Sequence, residues 1–179
     1  EKILHLEGLG AEIILTRSDV PEGHPEYYQD LAKKIASETP GSFLANQFSN
    51  PANPFAHKNT TAPEIWEQME GNVDAVIAGV GSGGTISGLA EFLKEKNPDI
   101  KMVVADPEGS VVADAIKTGS FSYDGSSWLV EGIGEDFIPD NLNLSLLDDA
   151  EVVSDREAFQ TLQILLQEEG ILGGSSSGT

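Results

Sequence analysis

Apolar residues along the chain alternate between short continuous runs and helically spaced sets. Residues 73–80 (VDAVIAGV) form an apolar run of strand length, the mark of a strand buried on both faces. Residues 102–105 (MVVA) form a second, and 151–153 a third short strand. Helices are predicted between them, at about 85–96, at 110–117 ended by Gly119, and from Asp155 to Gly170. The last opens with Ser154-Asp155-Arg156-Glu157, a capping box, and carries Phe159, Leu162, Leu165 and Leu166 on one face. Upstream, residues 1–10 read as the end of a helix stopped by Gly10. Ala11–Thr16 (AEIILT) and Phe43–Gln47 read as short strands. Tyr28, Leu31, Ala32 and Ile35 repeat at helical spacing. The Asn- and Pro-rich stretch SNPANP reads as a loop, and Thr61 with Pro63 as the start of a helix over 64–69. Residues 120–149 read as irregular, and Ile171–Leu172 as a last strand running into GGSSSG.

Strand and helix alternate from about residue 43 onward, which predicts α/β architecture with a mostly parallel sheet between layers of helix. The 179 residues suffice for one domain or one domain plus part of another. Both ends read as cut inside a fold, with a final helix expected beyond Gly178.

Composition narrows the classes. Hydrophobic residues make up 39% of the chain, enough for a packed core. Ten basic residues stand against thirty acids, for a net charge of −20, which argues against nucleic acid and anionic membranes as partners. The chain has no cysteine, so disulfides, thiolate nucleophiles and Cys-based zinc sites are excluded, in keeping with a cytoplasmic protein. His5, His24 and His57 are too scattered to suggest a metal pair, and no metal is expected.

Candidate chemistry starts with Gly79-Val80-Gly81-Ser82-Gly83-Gly84-Thr85, between a buried strand and a helix. Three readings fit this loop on its own. It can be a plain tight turn. It can be an anion cradle, with backbone N–H groups converging at a helix N-terminus and Ser82 and Thr85 adding hydroxyls. It can be a dinucleotide fingerprint, since Gly79, Gly81 and Gly84 fit GxGxxG and Asp106 ends the next strand where a ribose-binding acid belongs. Against the last, at least two predicted strands precede the motif. Asp114, Glu135, Asp136, Asp148 and Asp149 read as solvated surface acids rather than a catalytic pair.

Five separated segments together resemble one family: QFSNPANPFAHKNTTAPEIW (47–66), AGVGSGGTISG (78–88), VVADPEGS (103–110), VEGIGEDFIPDNL (130–142) and EEGILGGSSSG (168–178). In this order and spacing they are similar to the large-domain signature of the pyridoxal-phosphate (PLP) enzymes of the cysteine synthase and cystathionine β-synthase family. The resemblance covers nearly the whole chain. It implies a type II PLP fold like that of tryptophan synthase β. Residues 1–45 would then be a remnant of the smaller N-terminal domain, and 46–179 the large PLP-binding domain without its last helix. It further implies a homodimer acting on small amino-acid and thiol substrates.

By the same resemblance, Gly81, Ser82, Gly83, Gly84 and Thr85 hold the cofactor phosphate. Ser176 bonds the pyridine nitrogen, Gln47 lies near the substrate carboxylate, and Gly132 and Gly134 face the amino acid and the entering thiol. Without the resemblance, GGSSSG reads as a flexible loop, Gln47 as a strand-end polar residue, and His57 as a loop residue bonded to backbone. The implied reaction is β-replacement on serine or an activated serine by a sulfur nucleophile. The strings DPEGS and VEGIGEDFIP lean to cystathionine β-synthase over cysteine synthase. Glu135 departs from the aromatic residue common there in eukaryotic cystathionine synthases. The family's Schiff-base lysine is expected upstream of residue 1: none of Lys2, Lys33, Lys34, Lys58, Lys94, Lys96, Lys101 and Lys117 matches it, so no catalytic residue is assigned and this stretch alone is expected to be inactive. An NAD-binding oxidoreductase domain and a catalytically dead relative serving as an interaction protein are the alternatives.

Overall fold

A computed structural model of the protein describes residues 2–17, 20 and 23–179, so Glu1 of the first expected helix lies outside the described residues. The chain divides into two compact units, 1–45 and 46–179. The first contains helices α1 (Lys2–Gly8) and α2 (Tyr28–Glu38). The second contains α3 (Ala52–Asn59), α4 (Thr61–Gln68), β1 (Ala75–Ala78), α5 (Gly84–Lys96), β2 (Lys101–Pro107), α6 (Val112–Thr118), β3 (Asp149–Val153) and α7 (Asp155–Glu169). Among the described residues no helix is long and apolar enough to cross a membrane.

The sheet has the order β1-β2-β3 and both pairings are parallel. Ala75 aligns with Lys101 across the first pair, and Val103 with Asp149 across the second. Parallel neighbours need a crossover, and α5 supplies the one between β1 and β2. Its inward face is Ile86, Leu89, Ala90 and Leu93, an i, i+3, i+4, i+7 set, and all four are buried. They join Val80, Ile100, Met102, Val104, Val112 and Ala150 in one core. Truncating a fully buried residue such as Leu93 to alanine costs about 2–5 kcal/mol by the general rule for such sites.

The predicted strands β1, β2 and β3 and the helices α5, α6 and α7 are all present. Ser154 and Glu157 make the reciprocal capping box, and α7 ends at Gly170. Its inward contact is narrower than the periodicity suggests: Ala158 is buried, while Phe159 and Leu166 stay exposed.

Five expectations fail for identifiable reasons. Ala11–Thr16 and Phe43–Gln47 are not strands. A strand needs a ladder partner, and Ile14, Leu15 and Phe43 are exposed instead, Phe43 to 85%. Ile171–Leu172 is likewise an exposed non-strand segment leading to a 3-10 turn over Ser175–Gly178. The stretch SNPANP is not a loop throughout: Ala52–Asn59 is helical. Pro54 falls in its first turn, where a missing N–H costs nothing. Asn50 starts the turn by accepting from Ala52 N through Oδ1 at 3.0 Å. The helix after it begins at Thr61 with Thr60 as its N-cap, so Thr61 is not itself the cap.

Candidate functional site: a cavity over the glycine loop

The loop between β1 and α5 makes a tight bend that few residues other than glycine allow. Gly83 holds φ +80°, a left-handed conformation, and is the N-cap of α5. Gly84 opens the helix with its Cα against the side-chain amide of Asn53, where a Cβ would overlap it. Both glycines are buried and bring the first turn of α5 close to α3. The N–H groups of that first turn have no intrahelical acceptor and carry the positive end of the helix dipole.

Above the loop lies a cavity of about 540 Å³ lined by Gln47, Gly81, Ser82, Thr85, Gly132 and Gly134, with Glu135 and Trp128 in its far wall. The structure therefore brings together six of the nine site residues named from the sequence. Gly83 and Gly84 are buried at the start of α5 and do not line the cavity. Ser176 is exposed and does not line the cavity. Its neighbour Ser175 is closer to it: Ser175 Oγ accepts from the N–H of Glu131, next to Gly132, at 2.9 Å.

The wall facing the loop is residues 128–135. Gly134 N donates to Val80 O at 2.8 Å, tying this wall to the end of β1. Trp128 Nε1 donates to Ile133 O at 3.0 Å. The Gly132 carbonyl stands 2.7 Å from where a Cβ on Gly81 would sit, so the two segments touch backbone to backbone.

A polar network under the cavity holds its floor. Asn53 Nδ2 donates to Gln47 O and to Ser82 Oγ, both at 2.8 Å. Asn141 Nδ2 donates to the same Gln47 carbonyl at 2.7 Å and to Asn50 O at 3.1 Å. The Gln47 carbonyl is thus held by two amides, one six residues away and one 94 away. His57 is neither in a loop nor bonded to backbone by its ring. It lies on α3, with Nδ1 3.0 Å from Thr61 Oγ1 and Nε2 3.2 Å from Thr85 Oγ1. Sequence reading missed Asn53 and Asn141 altogether. The one local signal was that Asn53 falls in the first turn of a helix hidden by its prolines.

One of the acids expected at the solvated surface is not there. Glu135 is half-buried in the cavity wall. Burial first, then the charges of Asp136 and Asp106, push its carboxyl up to about 8. Asp148 accepts from Lys94 Nζ at 2.7 Å and from Met102 N at 2.8 Å. Burial pushes its carboxyl up, but the bonds from Lys94 and Met102 and the charges of Lys94 and Lys101 outweigh this, and it lies below the usual carboxylate range. Asp114, Asp136, Asp148 and Asp149 are exposed.

Asp106 decides against the dinucleotide reading. It is fully buried, and its Oδ2 accepts from Ala113 N at 2.8 Å, in the first turn of α6. A carboxylate capping a helix from inside the core is not presented to a ribose. Burial raises its pKa, partly offset by the bonds from Ala113, Ser110 and Val112.

The donor set fits a phosphate ester on a small ring. A glycine loop leaves room where side chains would intrude, two hydroxyls line the same cavity, a helix N-terminus points toward it, and the volume lies within the range of small-ligand sites. Comparison with known proteins agrees. The family model described as pyridoxal-phosphate dependent enzyme matches residues 1–179, and the chain belongs to that family. Among curated relatives, the cystathionine beta-synthase of Dictyostelium discoideum is 42% identical over 179 residues, covering 100% of this chain and 35% of the relative. That of Apis mellifera is 41% identical over 181 residues, covering 99% and 35%. Cysteine synthase A of Salmonella typhi is 40% identical over 175 residues, covering 97% and 53%. The chain spans about a third of the length of the cystathionine beta-synthases it matches and about half that of the cysteine synthase.

Proposed function

We propose that the enzyme carrying this chain catalyses PLP-dependent β-replacement on serine or an activated serine, with a sulfur nucleophile as the second substrate. L-Serine with homocysteine is favoured over O-acetylserine with sulfide, because the cystathionine beta-synthases lead the relatives. The observation that carries the reading is the single cavity in which Gln47, Gly81, Ser82, Thr85, Gly132 and Gly134 meet. The reading also takes residues 1–45 as part of a smaller N-terminal domain, and the enzyme as a cytoplasmic homodimer.

In this reading Gly81–Thr85 hold the cofactor phosphate through backbone N–H groups and the hydroxyls of Ser82 and Thr85. Asn53 and His57 keep those hydroxyls aimed. Gln47, its carbonyl held by Asn53 and Asn141, receives the substrate carboxylate. Gly132 and Gly134 leave the opposite wall free of side chains, where amino acid and thiol pass. Ser176, which the resemblance assigns to the pyridine nitrogen although it lies outside the cavity lining, would offer that nitrogen a neutral hydroxyl and leave it largely unprotonated, favouring loss of a β substituent over transamination. PLP, when bound, supplies the electron sink that makes the α-hydrogen of the amino acid acidic. The cavity's lining residues include no lysine, so the amine that attaches the cofactor is expected elsewhere in the enzyme.

Turnover assays on the enzyme with each substrate pair test the proposal. Cystathionine from serine and homocysteine is the expected product. Formation of neither cystathionine nor cysteine by PLP-loaded enzyme would contradict it.

A further inference from the structure

Trp128 is the largest side chain in the cavity lining. Its indole lies between two glycines. A Cβ on Gly134 would stand 2.7 Å from Trp128 Cε2 and 2.8 Å from Nε1, and one on Gly109 would stand 3.5 Å from Cε3. The two glycines of the wall therefore differ. Gly132 has nothing within 4 Å of where its Cβ would be, whereas Gly134 makes room for the indole.

The indole also bonds the wall that it covers. Nε1 donates to Ile133 O at 3.0 Å, and the N–H of the same peptide, on Gly134, donates to Val80 O at 2.8 Å. The Ile133–Gly134 peptide is thus held at both ends. The start of the wall is anchored separately, where Asp155 Oδ1 accepts from Leu129 N at 2.9 Å and from Val130 N at 3.2 Å. Among the described residues, Trp128 Nε1 is the only side-chain group bonded to the backbone of 132–134.

We propose that Trp128 is a positioning residue: its indole N–H and ring hold the Ile133–Gly134 peptide so that Gly132 faces Gly81 at the width the amino-acid substrate requires. This rests on the β-replacement reading above. Gly132 and Gly134 have positive φ, at +87° and +84°, and no Cβ to resist a change of backbone angle. A peptide between two such residues, bonded at one end only, is free to tilt. A misplacement of about 1 Å in a wall that orients a substrate costs turnover heavily. The cofactor phosphate is assigned to the opposite wall, with Asn53 and His57 behind it, so cofactor affinity should not follow the loss.

The test compares wild type, Trp128→Phe and Trp128→Ala as PLP-loaded enzymes with serine and homocysteine. Phenylalanine keeps a ring over Gly134 and loses the N–H. In Trp128→Phe, kcat/KM for serine is expected to fall about tenfold, with PLP affinity within about twofold of wild type. Trp128→Ala should lose more turnover. A merely structural role would lower PLP affinity and the thermal midpoint in step with turnover. That result, or unchanged turnover in Trp128→Phe, overturns the assignment and leaves β-replacement standing. No turnover by wild type with either substrate pair removes the β-replacement reading and the assignment with it. A second measurement does not depend on any variant at position 128. Trp66 is the one other tryptophan, so in Trp66→Phe the emission comes from Trp128. It is expected to drop when PLP binds, and emission untouched by PLP also overturns the assignment.

Discussion

His57 Nε2 lies 3.2 Å from Thr85 Oγ1, across 28 residues of sequence, and the same ring reaches Thr61 Oγ1 through Nδ1 at 3.0 Å. The imidazole is therefore a strut between α3, the start of α4 and the first turn of α5. It fixes the rotamer of a hydroxyl that lines the cavity. Replacing His57 with alanine should weaken phosphate binding about 3- to 10-fold, the worth of one hydrogen bond. Thr85→Val should cost a similar factor. Because both act through one hydroxyl, the double variant should be little worse than Thr85→Val alone. PLP affinity across this double-mutant cycle checks it, and simple additivity would show that His57 acts by another route.

Asn53 carries two bonds from one amide group, to Gln47 O and Ser82 Oγ. Asn53→Ala takes a donor from Ser82 Oγ and leaves Gln47 O with the Asn141 bond alone. A loss of about 1–3 kcal/mol in stability is expected, with weaker PLP binding alongside. Asn53→Asp should be no rescue, since a carboxylate cannot donate to either partner. Urea unfolding and PLP titration of both variants measure this.

Asp148 joins Lys94 of α5 to the N–H of Met102 in β2. Its side chain is 25% exposed, so the pair is partly screened. Asp148→Asn should cost about 1–2 kcal/mol at pH 7. The carboxyl titrates below its ordinary value of 3.8, so its contribution is full above that value and lost as pH falls through the lowered one. The gap between wild type and Asp148→Asn in unfolding free energy should therefore close in acid, as pH falls below 3.8 and through the lowered value.

Glu135 has the opposite sign. Its carboxyl is raised from the ordinary 4.5 to about 8. Between those values the folded protein holds a proton that the unfolded chain has released, so stability falls as pH rises from 4.5 toward 8 and levels off above. Glu135→Gln removes this dependence. It should match wild type near pH 4.5 and exceed it at pH 8.5 by on the order of 1–2 kcal/mol. Thermal melts of the two proteins across that range check the sign.

What the sequence made legible is local. The buried strands β1 and β2 stand out as apolar runs, and β3 as a short strand ahead of the capping box. The inward face of α5 recurs every three to four residues. The capping box at Ser154 and the stop at Gly170 announce both ends of α7. The glycine loop was visible as a strand-to-helix bend for the same reason. What stayed hidden is tertiary. Ala11–Thr16 has strand composition, but pairing depends on a neighbour that local pattern does not supply. Helix α3 was masked by Pro51 and Pro54, although a proline in a first helical turn costs nothing. Glu135 looks like any loop acid, and only folding of residues 128–135 over Gly81 turns it into a half-buried group. Asn53, Asn141 and His57 owe their roles to partners 28 to 94 residues away.

PLP-dependent chemistry in this cavity requires the glycine loop to hold a phosphate. The direct measurement compares affinity of the enzyme for PLP and for pyridoxal, the same ring without phosphate, in wild type and in the double variant Ser82→Ala/Thr85→Val. Wild type should favour PLP by a hundredfold or more, since several charge-assisted bonds at about 1.5–3 kcal/mol each are lost with the phosphate. The double variant should keep its fold and lose most of that preference. Equal affinity of wild type for the two compounds, or a preference untouched by removing both hydroxyls, would contradict the assignment of the loop as the phosphate site.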